Sequence, residues 1–186
     1  MVNYLKAKFI KMIILLFILT GIFIMFFSCC NSLFSDEELT LQRTDYTGNE
    51  LRIDGYYYYF VKGTNRTVIY FLYRNGVALW GGTYATTNLN EIEMKMIELY
   101  SGIRKMKGSW GVFIVDDNKI QHEEWVEAPS GVRLAIFRRS GYIENDTTIH
   151  FTESFYSGRN ETKPINQIWH FKQFDNKPDS TNSFIK

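Results

Sequence analysis

Short runs of β-branched and aromatic residues, separated by polar turns, fill most of the chain after residue 52. Runs of this length, bounded by Gly, Asn, Asp and Pro, are typical of antiparallel strands joined by hairpins. Asn75-Gly76 is typical of the tight hairpin turn in which both central residues adopt positive φ. The pattern predicts eight strands, at 53–61, 67–73, 77–84, 110–115, 119–126, 132–139, 147–156 and 165–174.

One segment has a helical period instead. Apolar residues recur every three or four positions at Leu89, Ile92, Met96, Leu99 and Ile103. Glu and Lys occupy the opposite side, so the pattern predicts an amphipathic helix over about 89–101. Asn88 precedes the helix and can cap its first turn. We expect Ile92, Met96 and Leu99 to pack against the strands and to close the barrel.

The order of these elements determines the predicted fold class. About eight evenly spaced strands, one helix and no alternation of strand with helix predict a mainly β fold. A closed antiparallel barrel is favoured because closure removes exposed strand edges. A sandwich of two sheets is the alternative.

The first thirty residues have a different character from the rest. Three lysines are followed by an apolar run over 12–27 and then by Ser28, Cys29 and Cys30. A basic region, an apolar region and a small residue are the layout of a secretory signal. A membrane-spanning helix that is not cleaved is the alternative, because the apolar run approaches the roughly 17–25 residues that a span needs.

This leader resembles the lipobox of bacterial lipoproteins, in which a small residue precedes an acylated Cys that becomes the mature N-terminus. Ser28 is the small residue before Cys29, so the resemblance implies lipidation of Cys29, with Cys30 as the second choice. It implies a lipid-anchored protein of the cell envelope, in the outer membrane, with the domain in the periplasm or at the surface. The implied parts are a signal peptide, a lipidated tether and a β domain, at 1–28, 29–48 and 49–186.

The mature part carries a second resemblance. The leader, the eight-strand layout and the ending Phe171-Lys172-Gln173-Phe174 are similar to small lipocalin-like lipoproteins of Bacteroidetes-type bacteria. This resemblance implies a lipocalin-like barrel and transfers no functional residue. Asp146-Thr147-Thr148 and Asp179-Ser180-Thr181 also resemble the O-glycosylation sites of exported proteins in such bacteria, at Thr147 and Ser180.

Charge and reactive side chains narrow the functional classes. The 21 basic and 20 acidic residues nearly balance, which argues against nucleic-acid binding. His150 and His170 alternate with apolar residues and are expected to face solvent, so no metal site with His122 is predicted. Glu123 and Glu124 are adjacent on a strand and therefore point to opposite faces, as a solvated acidic hairpin rather than a catalytic pair. No catalytic residue and no cofactor is predicted.

Aromatic side chains are the remaining candidates for ligand binding. Tyr57 and Tyr59 share one face of the first strand, and an eight-stranded barrel can hold one small molecule between such rings. A core filled by its own side chains is the alternative. The leading functional hypothesis is a non-catalytic binding module for a small apolar or sugar-like ligand or an envelope protein. A structural or assembly accessory is second, and a hydrolase is third.

Overall fold

The computed structural model describes residues 12, 13 and 34–186. The chain forms two compact units, Met1–Asp36 and Glu37–Lys186. Cys29 and Cys30, with most of the predicted leader, lie outside the described residues. Within the described residues, no helix is both long enough and apolar enough to cross a membrane. The strands and the long helix all belong to the second unit.

Eight antiparallel strands close into a barrel in which β1 pairs with β8. The strands are β1 Gly55–Val61, β2 Arg66–Leu72, β3 Val77–Tyr84, β4 Trp110–Asp116, β5 Lys119–Glu127, β6 Leu134–Asn145, β7 Thr148–Tyr156 and β8 Glu161–Gln173. Helix α1, Leu89–Ile103, connects β3 to β4, and single 3₁₀ turns lie at Lys107–Ser109 and Ser157–Arg159. The predicted barrel of eight strands with one helix is confirmed, and the sandwich is wrong.

One turn and the end of one strand differ from their predictions. At Asn75-Gly76 only Gly76 has a positive φ, of 73°, and its N–H donates to the Tyr73 carbonyl at 3.0 Å. This is a three-residue hairpin turn with a bulge, not the two-residue turn. At Gly141 the chain continues in β6 through a register shift beside Ser140. A Cβ on Gly141 would lie 2.0 Å from the carbonyl oxygen of His150, so the glycine permits close strand approach.

The barrel wall separates two hydrophobic clusters. Cross-strand pairs such as Tyr57 with Tyr70 and Ile149 with Trp169 place one set of side chains inside the barrel. The alternate residues of β1 to β3 form an outer cluster with the helix. This outer cluster includes Tyr56, Ile69, Phe71, Leu79, Ile92 and Met96. Because strand side chains alternate, the same strands supply both clusters.

Helix α1 therefore packs on the outside of the barrel wall rather than closing an end of the barrel. The Asn88 side chain caps the helix by accepting from the backbone N–H groups of Asn90 and Glu91. Ile92 and Met96 are buried, as predicted, but Leu99 is 50% exposed, so its predicted burial is wrong. The buried stripe continues through Ile103 instead.

The segments at both ends of the second unit pack on the barrel. The unit begins at Glu37 and therefore includes residues 37–48 of the predicted tether. Leu39 and Leu41 pack on the outer cluster, and so does Ile185 near the other end. We call residues 37–43 the strap and residues 175–186 the tail. The sequence pattern missed both because their few apolar residues have no strand or helix period.

Candidate functional site

The interior of the barrel contains a cluster of polar side chains rather than a hollow. The Tyr70 hydroxyl donates to Glu124 Oε2 at 2.5 Å, and Arg139 Nη1 donates to Glu124 Oε1 at 2.7 Å. Arg139 Nη1 also lies 3.3 Å from His122 Nδ1. The register of β5 and β6 creates the cluster, because His122 pairs directly with Arg139. We call these four residues the interior cluster.

Burial determines the charge state of His122. Desolvation lowers the pKa of His122 to about 4, so its imidazole is neutral near pH 7. Because a guanidinium only donates, Nδ1 accepts from Arg139 and Nε2 carries the proton. Among the residues that the structure describes, the His122 Nε2 atom has no hydrogen-bond partner. The Arg139 Nε donor is likewise buried without a partner among the described residues, so the interior cluster leaves two donors unused.

A small cavity adjoins the interior cluster. Its volume is about 20 Å³, and its lining consists of Tyr57, Tyr70, Leu72, Ile120, His122, Ile149, Phe151 and Trp169. A space of this size holds about one water molecule. The barrel interior is therefore filled by its own side chains.

Tyr57 and Tyr59, the two predicted ligand residues, have different positions inside this barrel. Tyr57 lines the cavity, and its hydroxyl lies 3.1 Å from the carbonyl oxygens of Arg52 and Asp146. Tyr59 stacks on Trp169 with ring centroids 5.6 Å apart. Their predicted role in ligand binding stays a prediction, and the cavity of about 20 Å³ is lined by Tyr57 but not by Tyr59.

Glu123 points to the outer side of the wall, as adjacency to Glu124 predicts. The prediction that this acidic pair is solvated is wrong, because both carboxylates are buried. Glu123 accepts from the backbone N–H groups of Thr40 at 2.6 Å and Leu41 at 2.8 Å. Arg138 Nη2 completes the site at 2.7 Å. Arg138 and Arg139 are adjacent on the neighbouring strand β6, and this pattern is the sequence signal for the two ion pairs that hold the buried carboxylates.

The histidines do not converge. His122 is inside the barrel, whereas His170 is exposed and His150 is bonded on the outer face to Tyr142 and Asn166. This agrees with the alternation argument. In the described part of the chain, no three His, Cys, Asp or Glu side chains group closely enough to hold a metal ion.

A much larger concave surface is an open groove on the outside of the barrel. Its volume is about 610 Å³, within the range of about 300–1,000 Å³ typical of small-molecule sites. Val112 of β4 and Trp125 of β5 form its floor. The strap supplies one wall, with Leu39 and Leu41, and the tail supplies the other, with Phe184 and Ile185. We call this surface the strap–tail groove.

Hydrogen bonds fix the floor and the strap of the groove. The Trp125 indole N–H donates to the carbonyl oxygen of Glu37 at 2.7 Å. Glu123 binds the two strap amides, so its buried carboxylate holds this wall in place. The Lys107 ammonium lies 4.6 Å from the centre of a Trp125 ring, a cation–π contact at the edge of the groove. Sequence reasoning missed this site because one wall comes from the predicted tether and the other from residues beyond the last predicted strand.

A second surface feature is the outer side of α1. Met94, Ile97 and Leu99 are 64%, 51% and 50% exposed, respectively. Met94 and Ile97 are three positions apart and are neighbours on the helix surface, whereas Leu99 lies beside the buried stripe. Neighbouring exposed apolar side chains are a feature of contact surfaces.

Comparison of the chain with protein-family models, with curated proteins and with solved structures gives no significant match. Function is therefore inferred from the geometry of the interior cluster, the strap–tail groove and the helix surface.

Proposed function

We propose that the protein is a lipid-anchored, non-catalytic binding module of the bacterial cell envelope that takes a small apolar ligand in the strap–tail groove. The observation that carries this proposal is the groove itself, whose volume of about 610 Å³ contrasts with about 20 Å³ inside the barrel. The floor is aromatic and aliphatic, as small-molecule sites commonly are. The resemblance to lipocalin-like lipoproteins supports a binding role, although the site lies outside the barrel.

Fluorescence of an uncharged apolar dye, N-phenylnaphthylamine, tests the binding role. A chain that begins at Glu37 should brighten the dye saturably, with one dye bound per chain. Leu41→Asp should abolish this signal, because a carboxylate would replace an apolar wall residue while the backbone N–H still binds Glu123. Leu99→Asp is the matched control, since Leu99 lies on the outer helix surface and not in the groove.

The membrane anchor is a separate part of the proposal. Ser28 before Cys29 supports cleavage there and acylation of Cys29, which places the protein on a membrane. Multiple acyl chains would give a durable anchor, because each buried methylene group adds about 0.8 kcal/mol. In bacteria with lipoprotein machinery the protein should incorporate labelled fatty acid, and Cys29→Ser should abolish the label. Label that persists in Cys29→Ser but disappears in Cys30→Ser would move the site by one residue.

A structural or assembly accessory is the second candidate. The filled interior and the exposed Met94 and Ile97 favour it, because they suit contact with another protein rather than ligand storage. Absence of saturable dye binding by the unmodified chain would contradict the binding module and leave this candidate.

A further inference from the structure

We propose that the ligand of the strap–tail groove is a single-chain anionic amphiphile, a long-chain carboxylate of the fatty-acid class. The chain would lie on the apolar floor, and the carboxylate would bind the basic side chains at the rim. This inference rests on the proposed function, because it assigns a ligand class to the same groove.

The apolar surfaces of the groove suit an alkyl chain. Leu41 and Phe184 face the groove from opposite walls and are half-buried, so each exposes apolar surface that a chain would remove from water. Val112 and Trp125 beneath them are almost completely buried and provide a solid floor. The volume of about 610 Å³ is that of a small-molecule site, which favours one chain over a lipid with two.

The charges at the rim select the head group. Basic side chains are in the majority among the charged residues that line the groove, with Arg43, Lys107 and Lys186 against Glu38. The chain as a whole carries a formal net charge of only +1, so this excess is local. A guanidinium binds a carboxylate through two parallel hydrogen bonds, and an ammonium binds it as a point charge. A neutral amphiphile of the same length would use the floor but not the rim.

The Glu123 carboxylate clamps the strap to the barrel, so the groove is already formed before a ligand binds. Its carboxylate is fully buried and binds the backbone of Thr40 and Leu41, so the wall does not depend on a ligand to order it. A preformed wall lowers the entropy cost of binding a flexible chain.

Photochemical labelling tests the proposal on the full, lipid-anchored chain in nanodiscs of zwitterionic lipid. The probe is palmitic acid with a diazirine in its chain, and the comparison probe is the corresponding fatty alcohol. Labelled peptides are then mapped by mass spectrometry. The acid should label the segments 38–43 and 183–186, excess palmitic acid should compete, and the alcohol should label them about tenfold less, since it lacks the charge-assisted hydrogen bonds.

Variants of the basic residues at the rim test whether their charge binds the head group, and they are expected to leave the fold unchanged. Arg43→Gln with Lys186→Gln should lower labelling by the acid about tenfold and leave labelling by the alcohol unchanged. Arg43→Gln alone changes only an exposed strap side chain, so it keeps the test valid if the double variant unfolds. Lys62→Gln is the matched control, because Lys62 is exposed in the turn between β1 and β2.

The outcomes distinguish this inference from the proposed function. Equal groove labelling by acid and alcohol, insensitive to the rim variants, would overturn the anionic head group and leave an apolar ligand site in place. Labelling of the groove by neither probe would overturn both. Groove label that excess palmitic acid does not displace would show adventitious contact with the bilayer and would likewise overturn the ligand class.

Discussion

Glu123 and Glu124 are neighbours in the sequence, and each carboxylate is buried on its own side of the barrel wall. Glu123 holds the strap on the outside, and Glu124 is held by Tyr70 and Arg139 on the inside. A buried carboxylate is tolerated only when donors and an opposite charge replace its water. One residue of β5 therefore forms the groove while the next fills the space where a ligand would otherwise lie.

Replacing the clamp carboxylate should loosen the strap. Glu123→Gln removes the charge opposite Arg138 and brings an amide N–H₂ toward the strap N–H donors, so unfolding should be easier by about 3 kcal/mol. Hydrogen exchange at the Thr40 and Leu41 amides should also be faster. Glu153→Gln, at an exposed position of β7, should change stability by less than about 0.5 kcal/mol. Unchanged exchange at both strap amides would contradict the clamp.

His122 should make stability depend on pH. Its folded-state pKa is lowered to about 4 from an ordinary value of 6.5, so between these values the unfolded chain binds more protons. Stability from this residue is complete above pH 6.5 and falls as the pH decreases toward 4, by about 3 kcal/mol in total. Urea unfolding across this range should show a shallower pH slope for His122→Gln, whereas His170→Gln, at an exposed position, should keep the original slope. Equal slopes for the protein and His122→Gln would contradict the buried neutral imidazole.

At the scale of elements, α1 supports the barrel from outside. Its buried residues complete the outer cluster, and the Tyr56 hydroxyl donates to Glu93 Oε1 at 2.9 Å. The helical period predicted the helix and the burial of Ile92 and Met96. It did not predict the exposure of Leu99, because periodicity gives the apolar side of a helix but not the width of the surface that it covers.

Substitutions on the buried side and on the exposed side of α1 should differ in their cost in stability. Met96→Ala should cost about 2–5 kcal/mol, because it leaves a cavity between the helix and β1 to β3. Leu99→Ala should cost less than about 0.5 kcal/mol, since half of its side chain is exposed. Thermal or chemical unfolding measures both. Similar losses for the two variants would show that Leu99 is buried in solution.

For the whole molecule, the strands, their order and barrel closure could be predicted from the sequence, because alternation and turn residues are local signals. The groove could not be predicted in this way. Its walls come from the strap and the tail, where Leu41 and Phe184 are isolated apolar residues without a period. Their positions depend on tertiary contacts. That of Leu41 depends on the buried Glu123, which the sequence presents as part of a charged pair.

Truncation should show that the strap belongs to the domain. A chain that begins at Glu37 should fold alone, without metal or reductant, and give a β-dominated circular dichroism spectrum. A chain that begins at Asn49, the predicted domain boundary, loses the apolar contacts of Leu39, Leu41 and Tyr46. It should be less stable by at least about 3 kcal/mol. Equal stability of the two chains would restore the tether interpretation.

The central claim is that ligand binds outside the barrel, in the strap–tail groove. Nuclear magnetic resonance can test this claim residue by residue. The chain that begins at Glu37 is titrated with N-phenylnaphthylamine, and the chemical shift of each backbone amide is followed. We predict saturable shifts centred on the amides of Leu41, Val112 and Phe184, with little change at His122 and Trp169. Shifts centred on His122 and Trp169 instead would place the ligand inside the barrel and contradict the account.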